Sequence, residues 1–175
     1  PGKVDLSGAE IELIDFEQRT HRLDAALDGA GLARWDVCLI DCPPSLGILF
    51  MNALNVAHEV IIPIQCEYLA LEGLGQILRN VERLKDAHVN DHLKLGGVVM
   101  TMFDSRINLA KQVVDEVTQH LPDKVFKSVI PRTIRLSEAP SFGKPIFAYD
   151  PNGVGSTAYR SLGKEVIERF GLMSK

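Results

Sequence analysis

Residues 35–45 read Trp-Asp-Val-Cys-Leu-Ile-Asp-Cys-Pro-Pro-Ser, an apolar run that ends in the carboxylate of Asp41 and two prolines. Such a run is expected to form a short buried strand over 36–41 and to deliver Asp41 to the carboxyl edge of a parallel sheet, where ligands bind. Pro43 and Pro44 cannot donate to a sheet ladder, so they stop the strand and stiffen the turn beyond it. A carboxylate held there can position the water shell of Mg²⁺ beside phosphates. Capping the turn is the plainer alternative for Asp41; the prolines and the apolar stretch behind them favour the chemical one. No G-x-x-x-x-G-K-[ST] occurs in the 175 residues, so the usual phosphate cradle is not among them.

Other reactive side chains carry less. Gln65 and Glu67 flank Cys66 at the end of a second apolar run and would share the carboxyl edge with Asp41. Cys38 and Cys42 stand four apart, about 13 Å along a strand at ~3.3 Å per residue, too far to share one metal ion, and are expected as buried thiols. The five histidines have no metal-ligand spacing, and His88 and His92 mark a solvated turn. Between Lys124 and Ile146, five cations (Lys124, Lys127, Arg132, Arg135, Lys144) face Glu138 alone, a local excess of cations in a chain of net charge −4. A solvated basic face is the plain reading; an anionic partner such as DNA, held through phosphates in a salt-dependent way, is the functional one.

Elements of α/β type must position these groups. Residues 5–30 read as one or two helices with Leu13, Ile14, Leu23, Ala26 and Leu27 as a buried stripe and Gly29 and Gly31 as the stop. After the 36–41 strand, Ser45 can cap a deeply buried helix to about residue 57. Strands are expected over 59–65, 95–102 and 125–130. Leu71, Leu74, Ile77, Leu78, Val81 and Leu84 recur at spacings of three and four and predict an amphipathic helix over 70–87. Asn108 can cap the next helix, closed by Pro122. A long loop after Pro131 leads to a last helix over 156–170. Strands alternating with helices imply βαβ crossovers and a three-layer, mainly parallel sheet. The length and the hydrophobic fraction of 46% suit one domain over 1–175. No run is long enough to span a membrane, and thiols of this kind suit a reducing cytoplasm.

Four segments, taken together, carry a resemblance: Cys38-Leu-Ile-Asp-Cys-Pro-Pro-Ser-Leu-Gly47, Ile62-Pro-Ile-Gln-Cys-Glu-Tyr-Leu-Ala-Leu-Glu-Gly73, Val99-Met-Thr-Met-Phe-Asp-Ser-Arg106 and Val129-Ile-Pro-Arg-Thr-Ile-Arg-Leu-Ser-Glu-Ala-Pro140. In this order the chain resembles the ParA/Soj partition ATPases, relatives of MinD. The resemblance implies an incomplete deviant-Walker P-loop NTPase fold, and in the parent family ATP and Mg²⁺ as cofactors, ATP-dependent dimerisation and non-specific DNA binding. Hydrolysis there is stimulated by a ParB-type partner, and the setting is the cytoplasm and nucleoid, with no membrane. Position by position, Asp41 matches the Walker B carboxylate that acts on Mg²⁺ through water. Thr101 and Met102 match the strand end beside the adenine, and Pro131 and Arg132 the loop that closes over the base. Arg106 and Arg135 match DNA-contacting positions, and Glu67 and Glu72 resemble residues near the dimer interface. The C-terminal residues 166–175 are too short and mixed for a MinD-like membrane helix, and the cysteines do not supply the cluster ligands of a nitrogenase-type iron protein.

The departures from that family lie at one end. The family's first strand, its K-G-G-x-G-K-[ST]-[ST] loop and the following acidic strand are not in this sequence. The 175 residues are therefore expected to form the C-terminal portion of the ATPase domain and, alone, neither to bind ATP tightly nor to hydrolyse it. An empty slot between 36–41 and 59–65 would be closed by direct pairing of these strands or by a second copy, or would leave a marginal fold. The alternative to a partition ATPase is a non-catalytic module derived from the family, which binds DNA or pairs with a full-length ATPase.

Overall fold

The structure is a computed structural model and describes residues 6–42 and 47–172. Pro43, Pro44 and Ser45, and with them the expected stiff turn and helix cap, lie outside the described residues. The elements run α1 (Leu6–Glu12), α2 (Arg22–Leu27), α3 (Ile48–Val56), β1 (Glu59–Gln65), α4 (Leu69–Asp86), β2 (Lys94–Thr101), α5 (Asn108–His120), α6 (Ile134–Glu138), α7 (Ile146–Tyr149) and α8 (Val154–Arg169). Three single 3-10 turns punctuate them at Leu13–Asp15, Leu32–Arg34 and Ala139–Phe142. Two compact units result, one of Pro1–Val60 with Ile77–Lys94, the other of Ile61–Gln76 with Leu95–Lys175.

In the first unit Phe50 and Leu54 of α3 pack with Val81 and Leu84 of α4 and with Leu93, all buried. The three- and four-residue spacing of α4 thus does what its pattern predicts. Asparagines fasten the unit. Buried Asn52 donates through Nδ2 to the carbonyls of Arg19 and Ile48, both at 2.8 Å, and its Oδ1 accepts from the Leu23 N–H at 3.0 Å. Asn90 Nδ2 donates to the Leu54 and Ala57 carbonyls at 2.8 Å each, satisfying groups that the end of α3 leaves unpaired. The stripe expected on α1 and α2 is only half-buried at Leu13, Leu23 and Leu27, while Ile14 and Ala26 are exposed.

The strand expected over 36–41 does not form. That stretch is irregular, joins no strand pairing, and leaves Val37, Leu39 and Ile40 exposed, Leu39 at 85%. Cys38, expected to be buried, is exposed, and Cys42 is half-buried. Apolar composition makes a strand only where a neighbouring strand takes its N–H and C=O groups, and no described strand does so here. Direct closure of the sheet between 36–41 and 59–65 is therefore not seen.

β1 and β2 pair in parallel: the Lys94 N–H donates to the His58 carbonyl at 2.9 Å and the Cys66 N–H to the Thr101 carbonyl at 3.0 Å. Along its other edge β2 meets the 124–132 segment, also in parallel, through bridges at Val98–Val125 and Phe103–Pro131. The continuous strand expected over 125–130 is interrupted. The Phe126 N–H bonds the Val98 carbonyl and the Ile130 N–H the Met100 carbonyl, so four residues on one side face two on the other. The surplus is a bulge, and the N–H groups of Lys127 and Ser128 turn away to the Glu165 carboxylate at 2.7 and 3.0 Å. Val99, Phe126 and Ile130 form the buried core here, covered by Leu162, Val166 and Phe170 from the end of the chain.

α5 buries Ala110, Val113 and Val117 and leaves Leu109 exposed, and Asn108 does not cap it; Ile107 holds that place and no side chain caps there. The entry turn is organised upstream by Asp104, whose carbonyl accepts from the Ile107 N–H at 3.0 Å. The long loop expected after Pro131 holds two short helices. Thr133 starts α6 by accepting the Leu136 N–H at 3.1 Å on Oγ1, a cap that the spacing permits. Gly143, at φ +61, ends the following 3-10 turn in the left-handed region.

Candidate functional site

The parallel register brings the carboxyl ends of β1, β2 and the 124–132 segment to one edge of the second unit. Thr101 ends β2; its hydroxyl donates to the Ile64 carbonyl at 3.0 Å, locking it against β1. Met102 follows at φ +54, a backbone state that few side-chain-bearing residues adopt. That turn sends Phe103 alongside Pro131: the Phe103 N–H donates to the Ile130 carbonyl at 3.1 Å and the Arg132 N–H to the Phe103 carbonyl at 2.9 Å. Thr101, Met102, Pro131 and Arg132, assigned to one base-binding edge, are thus adjacent by backbone pairing. Cys66 is buried beside them, and burial pushes its thiol above the ordinary range. Gln65, Glu67 and Glu72 are exposed.

Two arginines assigned to an anionic partner each meet a carboxylate. Arg106 donates to Asp104 through Nε at 2.9 Å and Nη2 at 2.6 Å, and its own backbone N–H reaches Asp104 Oδ1 at 3.0 Å. These hydrogen bonds, with the Arg106 charge and the more distant Arg132 charge, hold the Asp104 carboxyl down at about 2. Arg135 donates to Glu138 at 3.2 Å one turn along α6, and the Tyr149 hydroxyl donates to the same Glu138 oxygen at 2.9 Å. Phe142 stacks on Tyr149 with centroids 5.1 Å apart. Arg135 was legible in the charge of residues 124–146 and Arg106 only in the resemblance, and neither signal paired them with these carboxylates. The available signals were the D-x-R spacing of residues 104–106 and the i,i+3 spacing of Arg135 and Glu138 on a helix.

Asp41 belongs to the first unit, exposed at the end of its irregular segment. Beside it the Cys42 thiol is pushed up, first by burial and then by the Asp41 charge. Among the described residues no group of three or more His, Cys, Asp or Glu side chains could hold a metal ion. His88 and His92 sit in the expected turn, where His88 Nδ1 contacts Asp91 at 2.9 Å. The residues present therefore bring the strand ends 101–102 and 131–132 together at one edge. They do not make a complete Mg²⁺–phosphate site, because one exposed carboxylate without a phosphate loop supplies neither cradle nor octahedron.

Residues 1–95 match the family described as an AAA domain. The structure aligns with the cobyrinic acid a,c-diamide synthase of Mycobacterium smegmatis, solved with ADP and magnesium, at a TM-score of 0.78 and 34% identity over all of this chain and 63% of that one. The MinD cell division ATPase of Pyrococcus furiosus shares the fold at a TM-score of 0.65 and 21% identity, over 85% of this chain and 58% of that one. Parallel pairing with covering helices, together with the likeness to these structures, makes this a P-loop NTPase fold, present here in part. In sequence the chain is 52% identical over 166 residues to the sporulation initiation inhibitor protein Soj of Bacillus subtilis, 95% of this chain and 65% of the relative. It is 48% identical over 169 residues to the chromosome partitioning protein ParA of Myxococcus xanthus, 97% of this chain and 59% of the relative. The chain belongs to the Soj/ParA family of chromosome partitioning proteins, and spans less than two thirds of the length of these two relatives.

Proposed function

We propose that the chain is the C-terminal portion of a single partition-type ATPase domain. In the whole protein it supplies the base edge of the nucleotide site, the Walker B carboxylate Asp41 and a non-specific DNA surface. The observation that carries this reading is the backbone juxtaposition of Thr101–Met102 with Pro131–Arg132. It supports an adenine-binding edge: two strand ends joined by backbone pairing would offer their outer rim to a flat base, with Arg132 exposed there. Mg²⁺ would be held through water by Asp41 and would supply charge neutralisation at the phosphates. Arg106 and Arg135 stand on the DNA side, Glu67 and Glu72 near a dimer interface, and a ParB-type protein is the stimulating partner in a cytoplasmic, nucleoid-bound setting.

The chain alone is then expected to be idle in hydrolysis. Radiolabelled ATP turnover by the purified 175 residues, abolished by Asp41→Ala, would overturn that part of the reading. With an upstream K-G-G-x-G-K-[ST]-[ST] segment restored, turnover should appear and Asp41→Ala should remove it. A reading frame upstream of residue 1 that encodes such a segment decides for the ATPase.

A further inference from the structure

We propose that Asp104 is a built-in counter-ion for Arg106, a positioning residue that weakens the grip of this loop on the phosphodiester backbone of DNA. The inference rests on the reading that Arg106 contacts DNA, and adds a partner residue that sets how strongly it does so.

The 102–107 turn is laid out for this. Asp104 is tucked in, its side chain only 15% exposed, while the Arg106 side chain stands out at 86%. The carboxylate binds the Nε and Nη2 side of the guanidinium and the backbone N–H of the same residue. An arginine fork has five N–H donors, so the side away from Asp104 keeps donors for a phosphate. The carboxylate, however, places a full negative charge against the cation that a phosphate would seek. Arg132, the other cation that acts on Asp104, shares the same counter-charge. Asp104, Arg106 and Arg132 together carry +1, and removing the carboxylate charge makes them +2. Non-specific binding follows the number of neutralised phosphates, so the uncompensated loop should bind more tightly and lose more on adding salt.

Asp104→Asn is the discriminating variant, because the amide oxygen can still accept the Arg106 backbone N–H and keep the turn. Binding to a fluorescent duplex of arbitrary sequence is measured by anisotropy over a salt series, with ATP and Mg²⁺ present, for the chain with the upstream K-G-G-x-G-K-[ST]-[ST] segment restored and, in the same background, for Asp104→Asn, Arg106→Ala and the double variant. One further effective phosphate contact steepens the salt slope by about 0.9, so between about 50 and about 200 mM salt Asp104→Asn should lose about 3.5-fold more affinity than the restored chain with Asp104 intact. It should bind more tightly at the low-salt end, and Arg106→Ala in the double variant should cancel most of the gain. Equal or weaker binding by Asp104→Asn while Arg106→Ala weakens binding overturns the counter-ion role and leaves the DNA reading standing. No change with Arg106→Ala overturns the DNA reading of Arg106 and the inference with it, as does the absence of binding by every variant.

Discussion

Replacing Arg169 with alanine should loosen the second unit more than any other single change at its surface. The Arg169 guanidinium, near the end of α8, donates to three backbone carbonyls: Gly96 at 3.1 Å, Lys124 at 3.0 Å and Val125 at 3.2 Å. It lies 3.9 Å over the Phe126 ring and 3.7 Å from Glu165, with its side chain 23% exposed. One planar cation thus joins β2, the bulged segment and α8, at the point where the N–H groups of Lys127 and Ser128 are held by Glu165. A hydrogen bond to a charged group contributes about 1.5–3 kcal/mol. Because the site is partly open and water can reach some of the freed carbonyls, the expected loss is about 2–4 kcal/mol rather than the sum of the three.

Urea unfolding followed by circular dichroism measures this. With a slope of about 2 kcal/mol per molar, the midpoint should fall by about 1–2 M. Arg169→Lys is the informative companion: it keeps the charge and loses the fork and the flat stack on Phe126, so its midpoint should fall about halfway between. An Arg169→Ala midpoint within about 0.2 M of the unmodified chain would refute the reasoning, since it would mean that the three carbonyls are as well served by water. A lysine variant equal to arginine would refute the geometric part alone.

Four further outcomes are expected. At Gly97 a Cβ would meet the Phe126 ring and lie 2.9 Å from the Lys124 carbonyl, whereas at Gly73 nothing stands within 4 Å; Gly97→Ala should therefore destabilise by about 1–3 kcal/mol and Gly73→Ala, inside α4, should stabilise by about 0.5–1 kcal/mol, read as opposite shifts in the urea midpoint. Trp35, the single tryptophan, is 63% exposed, so its emission should be red-shifted and open to iodide quenching; a blue, protected emission would contradict the irregular 36–41 segment. Thr133→Ala should cost about 1 kcal/mol by removing the α6 cap, and Thr133→Ser should restore most of it. Burial alone would raise the Glu165 carboxyl, but the Lys127 and Ser128 N–H groups outweigh it and Glu165 ends below the ordinary range. A depressed folded value means stability fully present above about pH 4.3 and lost as pH falls through the folded value. Stability of Glu165→Gln should be lower and flatter over that acid window, and an unchanged acid limb would contradict the assignment.

The parts legible in the sequence are those whose stability is decided within a few residues or by one repeating face. α4 follows from Leu71, Leu74, Ile77, Leu78, Val81 and Leu84, because spacings of three and four put them on one side of any helix, whatever lies opposite. β1 and β2 follow from short β-branched runs. The same reasoning gives a strand over 36–41, where it fails, since a strand also needs the backbone of a neighbour, and composition says nothing about whether that neighbour is there. The interruption of 125–130 fails for a related reason: the group that draws Lys127 and Ser128 out of the ladder is Glu165, on α8 and far along the chain.

Thr101, Met102, Pro131 and Arg132 became legible through the resemblance alone, and parallel pairing then puts these strand ends side by side. The counter-ions of the arginines did not, because a count of charges treats Asp104 and Glu138 as subtractions from a total. In the fold each is the direct partner of one cation: Asp104 at 2.6 Å from Arg106, Glu138 at 3.2 Å from Arg135. The surface that these two arginines offer is thus one of paired cations. Its attraction for an anion depends on how readily a phosphate displaces, or shares with, the carboxylate already in place, so equal counts of cations on two such loops need not mean equal affinity.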